Sequence, residues 1–179
     1  MTDHELASGI AAGRVDALEI LIEGFHRPLL RYLWQVGGSL EDAEDLTAQA
    51  LLRVRAEIGG FRGEGSLRAW IYRVAYRELL RHRRRQLLTR LAPKKQGTPN
   101  VQASIEDAVV LTDALARVPL DQRAAFLLTE AEGLTVEEAA RVLGIPIGTV
   151  KSRSHHARLR LRKLLASTYG EPYAEPAPD

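Results

Sequence analysis

Cysteine is missing from all 179 residues, so disulfide staples and thiolate metal sites are both excluded. The five histidines show no His-Glu-x-x-His spacing or other ligand pattern, and neither a P-loop nor a nucleophile motif occurs. An enzyme is therefore the weakest reading, and no catalytic residue, metal or cofactor is expected. A secretory signal is also lacking, as is any apolar run long enough to span a bilayer, which points to a cytoplasmic protein. No strand pattern occurs either. Because 45% of the residues are hydrophobic, general disorder is excluded, and the chain reads as helices.

What is present is unevenly distributed. Net charge is only +2, but residues 1–52 hold nine acids against three bases, and residues 53–95 hold thirteen bases against three acids. The swing repeats with eight acids against two bases over 96–140, seven bases and no acid over 141–165, and three acids in the tail. Two acidic-then-basic units imply two modules, each offering one basic surface to a polyanion and keeping acidic surface for something else. The segment Leu91-Ala92-Pro93-Lys94-Lys95-Gln96-Gly97-Thr98-Pro99-Asn100 has two prolines and no apolar period, which suits an extended linker. The expected organisation is all-α: a helical domain over 1–90, a flexible linker over 91–105, a second helical domain over 106–168 and a disordered acidic tail over 169–179.

The second domain carries the sharpest local pattern. Thr135 followed by Glu138 is a capping box, so a helix should begin there with Val136, Ala139, Ala140 and Leu143 as its apolar face. Gly144 supplies a left-handed residue to end it, and Pro146 suits the opening of the next helix. Val150, Ala157, Leu161 and Leu164 then recur at helical spacing, while Lys151, His155, Arg158 and Arg162 fall on another face. A short capped helix, a tight turn and a long basic helix without acids outline a DNA-reading helix-turn-helix. Thr149, Lys151, Ser152, Arg153 and His155 are placed to reach bases or phosphates, with Arg158 attracting phosphate.

In the first domain a helix is expected over 16–36, with Ala17, Leu21, Phe25, Leu29 and Leu33 on one side and Pro28 as a kink. Gly37-Gly38 ends it, and Ser39 caps a second helix whose apolar positions are Ala43, Leu46, Ala50, Val54 and Ile58. After Gly59-Gly60 a glycine-rich loop leads to Ser66, which caps a helix containing Trp70, Ile71, Val74 and Ala75 and running into the arginines at 81 and 83–85.

Three ordered motifs give these two modules a family likeness: Asp42-Ala43-Glu44-Asp45-Leu46, the loop and helix from Phe61-Arg62-Gly63-Glu64-Gly65-Ser66 to Trp70-Ile71-Tyr72-Arg73-Val74-Ala75, and Gly148-Thr149-Val150-Lys151-Ser152-Arg153. In order and spacing they resemble bacterial sigma factors of the extracytoplasmic-function (ECF) group, over about residues 15–165. The resemblance implies a two-domain helical subunit that binds core RNA polymerase and directs it to promoter DNA. The first domain would melt and read the minus-ten element, and the second would read the minus-thirty-five element. An anti-sigma factor is a further partner consistent with the exposed acidic and apolar surfaces.

Melting a duplex calls for a loop with free backbone amides, aromatic surface and cations along the displaced strand. Arg62, Gly63, Glu64, Ser66, Arg68, Trp70, Tyr72, Arg73, Tyr76 and Arg77 supply such a set. Trp70 also suits the core, and Tyr72 and Tyr76, four apart beside arginines, suit either an exposed stacking face or the interior. By resemblance, polymerase attachment falls on Asp42, Asp45, Gln49 and Arg53. The sequence departs from the family there: Leu46-Thr47-Ala48-Gln49 stands where leucine, an aliphatic residue, glutamine and glutamate are usual. Arg77 replaces a usual asparagine, and Ser154 takes an apolar position in the reading helix. Two other readings are a free-standing helix-turn-helix regulator, for which no dimer surface is seen, and a sigma-like decoy for an anti-sigma factor, which would not need the arginines.

Overall fold

The structure, a computed structural model, describes residues 1–89 and 106–169. The linker expected over 91–105, and the expected tail beyond Tyr169, lie outside the described residues.

Thr2 and Glu5 start the first helix, α1 (Asp3–Ala11), through a capping box. The Thr2 amide donates to the Glu5 carboxylate at 2.7 Å and the Glu5 amide to the Thr2 hydroxyl at 3.2 Å. This helix lies outside the expected elements, because its buried Ala7 and Ile10 are too few to set a period. α2 (Val15–Gly37) follows and runs through Pro28 to Gly38, whose left-handed φ of 88° ends it. Ser39 caps α3 (Leu40–Glu57) by accepting from the Asp42 amide at 3.1 Å. A 3-10 turn and the glycine loop lead to α4 (Leu67–Thr89). Two side chains hold its start: Ser66 accepts from the Ala69 amide at 3.2 Å, and Asp3 of α1 accepts from the Leu67 amide at 2.7 Å.

These four helices form the first bundle. Leu21, Leu29, Tyr32 and Leu33 of α2, Leu46 and Val54 of α3, and Ile71, Tyr72 and Leu79 of α4 are buried together. Each large apolar side chain removed from water contributes about 1.5–3 kcal/mol, so the spacing of these positions sets how the helices rotate about one another.

The second bundle comprises α5 (Glu106–Ala116), α6 (Leu120–Phe126), α7 (Val136–Leu143) and α8 (Ile147–Tyr169). α6 continues into a π-helical turn, Leu127–Ala131, in which the Glu132 amide reaches back to the Leu127 carbonyl at 2.9 Å. The Thr135 capping box opens α7, and Gly144, with φ 68°, closes it. Leu115, Ala124, Ala125, Leu128 and Ala139 bury against Val150, Ala157 and Leu161 of α8. Ser154 lies on this packed face, and its hydroxyl shares a 3.2 Å hydrogen bond with that of Thr129. The two bundles are in contact, α4 against α7 and α2 against α5 and α6.

Candidate nucleic-acid interface

α7, the Gly144 turn and α8 have the helix-turn-helix form that the sequence implies. Gly144 and Ile145 both donate to the Ala140 carbonyl, at 2.8 and 3.1 Å, and this tight stop turns the chain into α8. At the start of α8, Lys151, Ser152 and His155 are exposed and Thr149 is half-buried. Arg153 reaches back to Asp121 on α6, Nε to Oδ2 at 3.2 Å, and Arg158 pairs with Glu130. Both arginines therefore hold acids of their own bundle, whereas the lysine, serine and histidine face outward.

The expected minus-ten set divides into two groups. Arg62, Gly63, Glu64, Arg73 and Arg77 are exposed. Two glycines shape the loop: Gly63 and Gly65 have φ of 76° and 92°, which a side chain would strain. The other residues turn inward. Trp70 is half-buried, edge-on to Phe61 with centroids 6.2 Å apart. Tyr72 and Tyr76, for which an exposed stacking face was one expectation, are buried, at 0% and 7% exposure. The physical reason is that α4 is covered on two sides: the Tyr72 ring packs edge-on against Tyr32 of the first bundle, with centroids 5.2 Å apart, and the second bundle lies against α4 through α7. Burial pushes both phenols up from their ordinary range, strongly for Tyr72, where a hydrogen bond to Glu132 adds to it.

Glu132 is the centre of that junction, and sequence reasoning missed it. Its side chain is 0% exposed, yet its carboxylate receives Arg31 of α2 at 2.9 Å, Arg68 of α4 at 3.2 Å and the Tyr72 hydroxyl. The Arg68 Nε also donates to the Glu132 carbonyl at 3.1 Å, and its guanidinium lies 5.3 Å from the Tyr72 ring centroid. Alongside, the Ser66 hydroxyl donates to Glu138. Burial pushes the Glu138 carboxyl up, but hydrogen bonds from Ser66 and Thr135 outweigh it and hold the group below its ordinary value. No sequence signal ties an acid at 132 to Arg31 and Arg68; the link is tertiary, spanning 101 positions to Arg31 and 64 to Arg68.

On α3, Asp45, Ala48, Gln49 and Arg53 are exposed, so the two altered polar positions, Ala48 and Gln49, face solvent, while Thr47, in place of an aliphatic residue, is buried and donates to the Ala43 carbonyl at 2.7 Å. Asp42 instead ties α3 to α4, accepting from Gln86 at 3.1 Å and lying 3.2 Å from His82. Arg53 bridges Glu78 at 3.3 Å and Glu57 at 3.7 Å. Gln49, Leu52 and Arg53 line a groove of about 680 Å³ with Arg81, Arg84 and Arg85 of α4 on its far wall. Among the described residues no helix is long and apolar enough to cross a membrane.

Comparison with known proteins follows the same division of the chain. The family model described as Sigma-70 region 2 matches residues 21–88, and that described as Sigma-70, region 4 matches residues 108–161. The ECF RNA polymerase sigma factor SigM of Mycobacterium tuberculosis is 34% identical, over 92% of this chain and 85% of its own length. Among solved structures, the sigma factor RpoE of Bartonella quintana, in complex with the anti-sigma factor NepR, superposes with a TM-score of 0.71 at 29% identity, covering 82% of this chain and 94% of that one. CnrH, in complex with the cytosolic domain of CnrY, shares the fold with a TM-score of 0.73 at 22% identity, covering 92% and 97%. With regions 2 and 4 matched in order and a relative aligned almost end to end, this chain belongs to the ECF RNA polymerase sigma factors.

Proposed function

We propose that the protein is an alternative sigma factor that binds core RNA polymerase in the cytoplasm and directs promoter-specific initiation, itself performing no catalysis. The observation that carries this reading is the pairing of two unlike surfaces on one chain: the helix-turn-helix start of α8, and the glycine loop with the exposed Arg62, Arg73 and Arg77. The first suits a duplex major groove and the second a separated strand. In this reading the domain over 1–90 engages the minus-ten element, the domain over 106–168 engages the minus-thirty-five element, and the segment 91–105 spans the distance between them.

Thr149, Lys151, Ser152, Arg153, His155 and Arg158 are proposed for the upstream element. Arg62, Gly63, Glu64, Ser66, Arg68, Trp70, Tyr72, Arg73, Tyr76 and Arg77 are proposed for the downstream one, its buried members becoming available when the bundles part. Asp45, Gln49 and Arg53 form the proposed polymerase-facing edge, with Asp42 positioning α3. The solved relative in complex with an anti-sigma factor supports such a protein as a third partner. Run-off transcription with purified core polymerase and a library of promoter fragments tests the function and reads out the consensus together. Transcripts that start at one class of promoter only when this protein is added are the expected result, and none above core polymerase alone overturns it.

A further inference from the structure

Glu132 takes all three of its side-chain donors from the other bundle: Arg31, Arg68 and the Tyr72 hydroxyl. Two guanidinium groups, which can only donate, and a phenol whose hydroxyl donates beside them suit an oxyanion. Their side chains enter from the surface, with Arg31 and Arg68 52% and 41% exposed while Glu132 is 0% exposed. Among the described residues neither arginine has a second carboxylate partner, so separation of the bundles would leave two uncompensated positive charges on the first bundle, with Arg68 two residues past Ser66 at the end of the glycine loop.

Among the described residues, buried polar atoms without a hydrogen-bond partner are the Tyr32 hydroxyl and Gln35 Oε1 on α2, and Gln122 Oε1 and Arg123 Nε on α6. α2 and α6 are one of the helix pairs in contact between the bundles. Burial and the nearby Arg83 charge lower the Arg123 guanidinium to about 10. Such a contact lacks the full pairing of a permanent interior.

We propose that Arg31, Arg68 and Tyr72 form an anion cradle on the first bundle, filled by the Glu132 carboxylate in the free chain and by a backbone phosphate of the separated promoter strand once the bundles part. This rests on the function proposed above. The two occupants exclude each other, because the same three donors cannot hold the Glu132 carboxylate and a phosphate at once. Glu132 is thus a built-in phosphate mimic that holds the free protein in a form unable to take up DNA.

The test uses the full chain and a fluorescein-labelled forked duplex with an unpaired tail. Glu132→Gln removes the charge at nearly constant size. It is expected to enlarge the radius of gyration in small-angle scattering and to tighten binding of the fork about tenfold, because the competent fraction of the free chain rises. Adding Arg31→Ala should reverse most of that gain and lower the slope of log affinity against log salt by about 0.7, the share of one single-strand phosphate contact. A Glu132→Gln chain with unchanged size and affinity overturns the latch. An expanded chain whose affinity and salt slope ignore Arg31→Ala overturns the cradle.

A perturbation of opposite sign keeps the proposal testable even where Glu132→Gln fails to fold. Because the chain has no cysteine, Ser66→Cys with Glu138→Cys gives two unique thiols at a junction contact. Joined by a short thiol-cleavable bis-maleimide, the pair should bind the fork at least about tenfold more weakly and recover after cleavage. Equal binding in the joined and cleaved forms overturns the proposal. Failure of the wild-type protein to initiate transcription with core polymerase would sink the function instead, and leaves these DNA measurements standing.

Discussion

Ser154 gives a sharp test of how closely α8 packs. It stands where a helix-turn-helix pattern calls for an apolar residue, is 7% exposed, and is flanked on its face by Val150 and Ala157, both at 0%. Its hydroxyl shares a hydrogen bond with Thr129, a neutral pair worth about 0.5–1.5 kcal/mol. In Ser154→Ala that bond is lost, but Thr129 keeps the Ala125 and Phe126 carbonyls at 3.1 and 3.2 Å, so no donor is stranded. Alanine also has the better helix propensity, by up to about 0.5 kcal/mol. The net change is expected to lie within about 0.5 kcal/mol. Ser154→Leu is different: full burial would contribute about 1.5–3 kcal/mol, but α6 presents Ala124 and Ala125 at 0% exposure, and forcing a larger side chain into a closed site costs about 1–3 kcal/mol. With the lost hydrogen bond added, the midpoints of these terms leave leucine destabilising by about 1 kcal/mol, a drop of roughly 4–8 °C for a bundle of this size. Thermal and urea melts of the full chain by circular dichroism measure both variants. A leucine variant that melts above the wild type would refute the close α6–α8 packing, and an alanine variant losing about 2 kcal/mol or more would show that the hydroxyl pair carries weight that simple hydrogen-bond arithmetic omits.

Lys151→Ala and Arg153→Ala are each expected to weaken binding of the upstream element by about 1–3 kcal/mol where a base is read, with relaxed preference at one position, and uniformly across sequences where a phosphate is held. Promoter activity unchanged in both would remove the first turns of α8 from the interface. Gly144→Ala places a side chain at φ 68° and should cost about 1–2 kcal/mol in a urea melt; an unaltered midpoint would show that α7 needs no left-handed stop. Acid should loosen the junction: the folded Glu138 carboxyl lies below its ordinary value, so its contribution is complete above about pH 4.3 and is lost as pH falls through the folded value. Small-angle scattering should show Glu138→Gln losing this group's share of the acid-induced opening, and an identical profile in the variant would contradict the assignment.

Much of the architecture was legible because it rests on local chemistry. Ser39, Ser66 and the Thr135–Glu138 pair cap the helices that their spacing announces, and Gly38 and Gly144 adopt left-handed conformations where the pattern needed stops. Apolar periodicity found the α3 face from Ala43 to Ile58, all of it buried. The misses are tertiary. α1 is too short to show a period, and it is held by Asp3 reaching α4 across 64 positions. Tyr72 and Tyr76 look like an exposed pair in one dimension because a helix interior and a helix junction have the same spacing; only the second bundle decides between them. Glu132 reads as one acid in an acidic stretch until two arginines from elsewhere converge on it.

The π-helical turn at Leu127–Ala131 has a consequence for how this chain can vary. An ordinary helix advances about 100° per residue, and a π turn accommodates one residue more than that winding allows. Removing one residue from the turn itself would let it relax to ordinary winding, whereas removing one from the α-helical part of α6 would swing everything downstream through about that angle. Glu132 would leave its arginines, and the helix-turn-helix suspended from it would point elsewhere. Length, more than composition, is thus what α6 must preserve ahead of this turn. Exchange of one side chain for another can be absorbed locally, whereas gain or loss of one residue would alter the phase of the chain and with it the angle at which the second bundle meets both the first bundle and the duplex.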